Sequence, residues 1–113
     1  MPSFAMKAAV LVLLFLPALA SWAGDAYWID VRTADEYASG HVSAAVHIPY
    51  EEIVVRISEV TTDKDAEIYV YCRSGRRSGI AKAALDEAGF TRVVNVGGLE
   101  DALKKAAETA AER

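Results

Sequence analysis

The feature that most constrains this chain is a strand-forming run joined by a short loop to an alanine-rich helical pattern. The β-branched and aromatic run covers residues 67–71, and the helical pattern covers residues 78–88. Cys72, the one cysteine among 113 residues, stands where the strand ends. A loop before a helix N-terminus directs several backbone N–H groups, and the positive end of the helix dipole, toward one point. A thiol held there has a lowered pKa and is nucleophilic as the thiolate, so we predict an active site at this loop.

The alternative for Cys72 is a buried structural thiol that packs as a small apolar side chain. The neighbouring glycines and three arginines (Arg73, Arg76 and Arg77) argue against a dry pocket and favour an exposed, functional thiol. The arginines form a positive site on an acidic chain of net charge −4. This balance argues against general nucleic-acid binding and suits a small anion. Each arginine could be a solvated surface charge, but Arg77, where the loop meets the helix, is expected to turn inward and bind the anion.

Residues 1–23 have the pattern of a secretory signal peptide. Lys7 precedes an apolar run, and small residues allow cleavage after Ala20 or Ala23. An uncleaved membrane anchor is the alternative, but the apolar run is short for a bilayer span. We therefore expect residues 24–113 to be one exported domain without stable membrane insertion. A lone cysteine in an exported chain indicates that its thiol is used.

Strand patterns and helix patterns alternate along the rest of the chain. The predicted strands cover residues 27–31, 44–48, 67–71 and 92–96, and the predicted helices cover 34–39, 51–60, 78–88 and 99–112. This alternation predicts a three-layer α/β fold, with a central parallel sheet and helices on both of its faces. In such sheets functional residues gather at the carboxyl ends of strands. Asp30, Cys72 and the Gly97-Gly98 pair each end a predicted strand, so we expect them at one edge of the sheet.

Local signals refine the predicted helices. Thr33 and Glu36 form a capping box that begins the first helix. Helical spacing assigns these apolar residues to the core-facing sides of the three later helices: Ile53, Val54, Ile57 and Val60; Ile80, Ala81, Ala84, Leu85 and Ala88; Leu99, Ala102, Leu103, Ala106 and Ala110. The last of these faces is mostly alanine, so it is expected to bind the core weakly.

Four polar residues near the predicted edge have structural or chemical roles to weigh. Asp30 and Arg32 are expected to pair and orient the first loop, with catalysis as the alternative. His41 and His47 could act as bases, but an activated thiolate needs none, and a structural hydrogen bond is the favoured role. Asp30, Arg32 and His41 are therefore expected to support the site structurally. Two histidines and one cysteine without ligand spacing do not make a zinc site, so no metal is expected.

Six motifs follow one another in an order found in a known family. They are Trp28-Ile29-Asp30-Val31-Arg32, Glu36-Tyr37, Gly40-His41-Val42, Ala45-Val46-His47-Ile48-Pro49, Val70-Tyr71-Cys72-Arg73-Ser74-Gly75-Arg76-Arg77-Ser78 and Gly97-Gly98-Leu99. This order resembles the rhodanese homology domain, and most of all the small single-domain periplasmic thiosulfate sulfurtransferases of Gram-negative bacteria, the phage shock protein E type. The resemblance covers residues 27–103 and implies a periplasmic protein. We expect that protein to be a monomer.

The resemblance implies a sulfur-transfer cycle with Cys72 as the catalytic residue. Its thiolate attacks the outer sulfur of thiosulfate, sulfite leaves, and the persulfide then passes its sulfur to cyanide or a thiol. The implied substrate-binding residues are Arg73, Ser74, Gly75, Arg76, Arg77 and Ser78. Their amides can stabilise the thiolate or persulfide anion, and the arginines can attract a dianion. No cofactor is implied, because the cysteine itself carries the sulfur.

Other functions remain open for the same fold. A persulfide carrier fed by a partner protein, or a noncatalytic rhodanese-like partner-binding module, is one alternative, although inactive modules commonly lack the cysteine. Cysteine-based phosphatases and arsenate reductases are another, and they use a Cys-x5-Arg loop. Here Arg77 gives Cys-x4-Arg, and Tyr71 replaces the histidine common before the phosphatase cysteine. The shorter loop favours sulfur over phosphate.

Overall fold

A computed structural model describes residues 26–112, so the expectations for a signal peptide at residues 1–23 lie outside the described range. The strands are Tyr27–Asp30 (β1), Val46–His47 (β2), Glu67–Tyr71 (β3) and Arg92–Gly97 (β4). The helices are Ala34–Ser39 (α1), Ile53–Arg56 (α2), Arg76–Glu87 (α3) and Leu99–Ala111 (α4), and the 3₁₀ turns Tyr50–Glu52 and Ile57–Glu59 flank α2. Neighbouring strands pair in parallel in the order β2-β1-β3-β4.

The sheet is buried on both faces, and β3 shows this most directly. Ile68 and Val70 face a core cluster that also contains residues of α2 and α3. Tyr69 and Tyr71 point the other way, into a second cluster that contains Ala102 of α4. Successive side chains of a strand alternate between faces, so a strand with no polar face indicates a helix layer on each side. The predicted three-layer α/β fold with a parallel sheet is confirmed.

The carboxyl ends of the strands meet as the sequence predicts. Asp30 pairs with Tyr71 of β3, and Tyr71 pairs with Gly97 of β4. The backbone N–H of Cys72 donates to the Gly97 carbonyl oxygen at 3.0 Å, which extends the ladder by one residue. The three predicted strand ends therefore form one edge of the sheet.

The predicted helix at 51–60 is wrong as a continuous α-helix. Only four of its residues are α-helical, and 3₁₀ turns lie on both sides. The spacing still places Ile53, Ile57 and Val60 against the core, but Val54, which follows Ile53 directly in the one short α-helical turn, lies beside that face. Ile53 and Ile57 are buried, whereas Val54 is 45% exposed. The predicted second strand, at 44–48, is reduced to the two residues of β2.

Three apolar residues that helical spacing assigned to the core sides of the longer helices also lie outside the core: Ile80, Leu103 and Ala110. In α3 the buried positions are Ser78, Ala81 and Leu85, so the buried face begins at the serine beside the loop. Ile80 lies to the side of that face and is 44% exposed. In α4 the one buried residue is Ala102, and Leu103 is 46% exposed. None of the helices within residues 26–112 is long and apolar enough to cross a membrane.

Candidate active site

The thiol of Cys72 lies directly after β3, on the face of the sheet that α3 covers. Its Sγ atom accepts hydrogen bonds from the backbone N–H of Gly75 at 3.0 Å and of Ser78 at 3.5 Å. The hydroxyl Oγ of Ser78 lies 3.4 Å from the same sulfur. The side chain is fully buried, so the expectation of an exposed thiol is wrong. The reason is that the loop folds back over the sulfur to deliver these donors.

The polar surroundings of the sulfur decide its ionisation. Burial by itself raises the pKa of the Cys72 thiol, because the thiolate loses solvation. Hydrogen bonds from Ser78, Gly75 and Ser74 outweigh that effect and lower the pKa to about 7. A structural thiol packed among apolar side chains would have its pKa raised instead. The site therefore holds a substantial fraction of thiolate at neutral pH.

Two glycine positions allow the loop at residues 72–78 to take this shape. Gly75 has a φ of 99°, in the left-handed region that favours glycine, and it directs its N–H at the sulfur. Gly98, after β4, lies so close to the Arg73 carbonyl oxygen that an added Cβ atom would collide with it. The loop therefore needs a left-handed residue at Gly75, and it packs closely against the backbone of Gly98 after β4.

Asn95 of β4 holds the other side of the loop, and sequence reasoning missed it. Its Oδ1 accepts from the Ser78 hydroxyl at 2.7 Å and from the Gly97 N–H at 3.1 Å. Its Nδ2 donates to the Gly75 carbonyl oxygen at 3.0 Å. The pairing with β3 then skips Val96, a β-bulge of the kind that often lies beside active sites. The available signal was a polar side chain near the end of a strand that reaches the predicted edge.

The three arginines of the loop have different surroundings. The side chain of Arg73 is 79% exposed, and Arg76 is also exposed. Arg77 turns inward as expected, but toward Glu36 of α1, with nitrogen–oxygen distances of 2.8 and 3.1 Å. Arg73 lies 3.9 Å from the same carboxylate. The role of Arg77 in binding an anion stays a prediction. Glu36 is a second residue whose place at this site sequence reasoning missed.

Asp30 and Arg32 form a buried structural pair. The Asp30 carboxylate accepts from the Arg32 backbone N–H at 2.9 Å and from Nε and Nη2 at 2.9 and 2.6 Å. Arg32 also donates to the Gly40 carbonyl oxygen at 2.7 Å, which ties the end of α1 to β1. Because these bonds are short and buried, the pair fixes the first loop beside the cysteine loop.

The histidines lie against α1 and make structural contacts. His41 Nδ1 is 2.8 Å from the Tyr37 carbonyl oxygen, and its ring stacks on that of Tyr37 with centroids 3.6 Å apart. His47 Nε2 is 2.7 Å from the Arg32 carbonyl oxygen. Neither ring hydrogen-bonds to Cys72. In residues 26–112 no group of three or more His, Cys, Asp and Glu side chains is arranged to hold a metal ion.

An open cleft of about 480 Å³ adjoins the cysteine loop. Arg73 and Gly98 line it on the loop side, and Glu36 and the first turn of α4 line it elsewhere. The cleft is large enough for a small anion and is bordered by both signs of charge. Of the loop at residues 72–78 only Arg73 lines it, so the cleft lies beside the loop and not at the sulfur.

A fold of this topology with a cysteine loop at the carboxyl edge of the sheet defines the rhodanese class, and the family comparison agrees. The family model described as "Rhodanese-like domain" matches residues 18–105. The chain belongs to the rhodanese-like domain family.

Individual members of the family show which proteins this chain is similar to. The thiosulfate sulfurtransferase PspE of Escherichia coli (strain K12) is 47% identical over 75 residues, which are 66% of this chain and 72% of that protein. The putative sulfur carrier protein YrkF of Bacillus subtilis (strain 168) is 41% identical over 68 residues, 60% of this chain but 36% of that protein. A solved structure described as a rhodanese with anions from E. coli is 45% identical, with a TM-score of 0.66, covering 68% of this chain and 91% of that one.

Proposed function

We propose that this protein is a thiosulfate sulfurtransferase that carries sulfur as a persulfide on Cys72. The observation that supports this most is the sulfur atom held by backbone and hydroxyl donors, with a pKa of about 7. Such an environment stabilises an anion on sulfur both before and after a sulfane sulfur is added. The name of the E. coli relative supports thiosulfate as the donor.

The first half of the cycle loads the cysteine. The Cys72 thiolate attacks the outer sulfur of thiosulfate, a new S–S bond forms, and the S–S bond of thiosulfate breaks. Sulfite leaves with the electron pair of the broken bond. The loop N–H groups of Gly75 and Ser78 then stabilise the sulfur anion, while the exposed Arg73 and Arg76 attract the dianionic donor. Because Sγ is fully buried, the loop side chains must move aside for the donor to reach it.

The second half unloads the cysteine onto a thiophilic acceptor. Cyanide, or the thiolate of an acceptor, attacks the outer sulfur of the persulfide, and the Cys72 thiolate leaves. Sulfur is thereby moved without a cofactor or metal, and the thiolate is ready for another donor. The low pKa of Cys72 makes it a good leaving group at neutral pH.

Turnover distinguishes the enzyme from its nearest alternative, a persulfide carrier; the B. subtilis relative is named a putative sulfur carrier protein, but this chain covers 36% of it. The folded wild type is expected to form thiocyanate from thiosulfate and cyanide, and Cys72→Ser is expected to form none. A wild type that accepts sulfur but releases no thiocyanate would be a carrier. A folded wild type that does neither would contradict both functions.

The proposal extends to location and assembly. Residues 1–23 are proposed to direct export to the periplasm and to be removed after Ala20 or Ala23, leaving 24–113 as one monomeric domain. N-terminal sequencing of protein from the periplasmic fraction, with its mass measured in solution, tests this directly. A full-length chain retained in the membrane fraction would contradict it.

A further inference from the structure

One of the three arginines beside Cys72 is neutralised by a residue of another helix. Arg77 makes a two-point contact with the Glu36 carboxylate, at 2.8 and 3.1 Å, and both side chains are about one-fifth exposed. Such bidentate pairs between guanidinium and carboxylate are stronger than hydrogen bonds between neutral groups and fix the geometry of both partners. The charge on the loop at residues 72–78 is therefore smaller than its sequence indicates.

The Glu36 carboxylate is held from its own side as well. Its Oε1 accepts from the Thr33 backbone N–H at 2.9 Å, in the capping box that begins α1. Hydrogen bonds from Arg77 and then from Thr33 lower the pKa of Glu36 to about 2. The carboxylate is thus ionised and fixed in place at any pH where the protein works, and it opposes the arginines permanently.

We infer that Glu36 is a specificity-determining residue, which pairs with Arg77 and lowers the affinity of the loop for dianionic donors relative to less charged ones. This inference rests on the proposed function for the identity of the donor, but not for the electrostatic effect itself. An anion entering beside Cys72 meets the exposed Arg73 and Arg76, while Glu36 offsets Arg77 directly and also lies 3.9 Å from Arg73. Removing the Glu36 charge would give the loop one more net positive charge.

The chain offers a conservative change and a matched control. Glu36→Gln removes the charge but keeps an oxygen for the Thr33 N–H, since glutamine also completes a capping box. Asp35→Asn removes one negative charge from the neighbouring, exposed position of the same helix. If only total charge mattered, both variants would behave alike.

The test measures the potential at the sulfur without requiring sulfur transfer. Cys72 is the one cysteine of the chain, so iodoacetamide and iodoacetate alkylate a single thiol. In each reaction a C–S bond forms and iodide leaves, and both reagents need the thiolate, so the ratio of their rates cancels its pKa. Glu36→Gln is expected to raise the ratio of iodoacetate to iodoacetamide rates about threefold or more at low salt, with a smaller effect in high salt. Asp35→Asn should leave it nearly unchanged.

A second variant guards against a merely structural effect. Arg77→Gln leaves the Glu36 charge uncompensated, so it should lower the same ratio, opposite in direction to Glu36→Gln. If breaking the pair only loosened the loop, both variants would move the ratio the same way. That result, or a Glu36→Gln ratio no greater than that of Asp35→Asn, would overturn the inference.

The donor itself provides a final readout. In Glu36→Gln the KM for thiosulfate is expected to fall by more than the factor by which the alkylation ratio rises, because thiosulfate carries two negative charges and iodoacetate carries one. A wild type that fails to use thiosulfate would count against the proposed function, while the alkylation ratio would still decide the role of Glu36. A wild type that uses thiosulfate, with a Glu36→Gln KM that is unchanged or higher, would contradict the inference alone.

Discussion

Replacing Ser78 with alanine tests how the protein activates its thiol. The hydroxyl of Ser78 lies between two acceptors, Cys72 Sγ at 3.4 Å and Asn95 Oδ1 at 2.7 Å. A serine hydroxyl has one proton, so it cannot donate to both at once. We expect it to donate to Asn95 when the cysteine is a neutral thiol and to turn to the sulfur when the thiolate forms. Alanine removes this donor but keeps the backbone N–H groups that contact Sγ.

The size of the effect follows from the two competing bonds. A hydrogen bond to a charged acceptor contributes about 1.5–3 kcal/mol, and a neutral one about 1 kcal/mol. Turning from Asn95 to the thiolate therefore gains about 0.5–2 kcal/mol, which is centred on about one pKa unit. The pKa of Cys72, about 7 in the wild type, should rise by about this much in Ser78→Ala. Asn95 keeps its Gly97 donor, so the variant should fold.

The assay is the iodoacetamide rate as a function of pH, checked against the ultraviolet absorbance of the thiolate. The wild-type rate should rise with pH through about 7 and then level off, because only the thiolate reacts and the lowered pKa forms it there. In Ser78→Ala the rise should move to higher pH and the neutral-pH rate should fall about fivefold. Ser74→Ala, an exposed loop position whose backbone N–H is retained, is the matched control. An unchanged pKa in Ser78→Ala would mean that its proton stays on Asn95, and would refute the reasoning.

Two further predictions concern the support of the loop. Asp30→Ala leaves the Arg32 charge buried without a partner, so urea unfolding should show a loss of about 3–5 kcal/mol. Asp86, which forms an exposed ion pair with Lys82, provides the control. Asp86→Ala should lower the free energy of unfolding by about 0.5 kcal/mol or less. Equal losses in the two variants would contradict the structural role of Asp30. Gly98→Ala forces a Cβ atom against the Arg73 carbonyl oxygen, so it should cost about 1–3 kcal/mol and slow alkylation of the cysteine. A Gly98→Ala variant with wild-type stability and a wild-type alkylation rate would contradict this, because the loop would then accommodate the added Cβ atom at little cost.

Sequence reasoning was most successful where the determining interactions are local. The strand, loop and helix around Cys72 follow from residue types within about a dozen positions, and the Thr33–Glu36 capping box is confirmed by contacts within one turn. The edge shared by Asp30, Cys72 and Gly97 followed from topology, because parallel strands place their carboxyl ends together.

Interactions between distant segments were beyond that reasoning. Glu36 and Arg77 are 41 positions apart, and Ser78 and Asn95 are 17 apart, so neither contact leaves a periodic signal. The sequence predicts a local role for Glu36 in the capping box, which the structure confirms, while its second role depends on how α1 packs beside the loop. The burial of Cys72 was likewise missed, because three nearby arginines indicate exposure while the backbone fold decides it.

The central claim is that Cys72 carries a transferable sulfur atom, and intact-mass measurement tests it most directly. Because the chain has a single cysteine, any persulfide has one assignable position. After treatment with thiosulfate, the wild type is expected to gain the mass of one sulfur atom and to lose it on addition of cyanide, while Cys72→Ser gains nothing. A folded, reduced wild type whose mass does not change, or a Cys72→Ser variant that gains the same mass, would contradict the account.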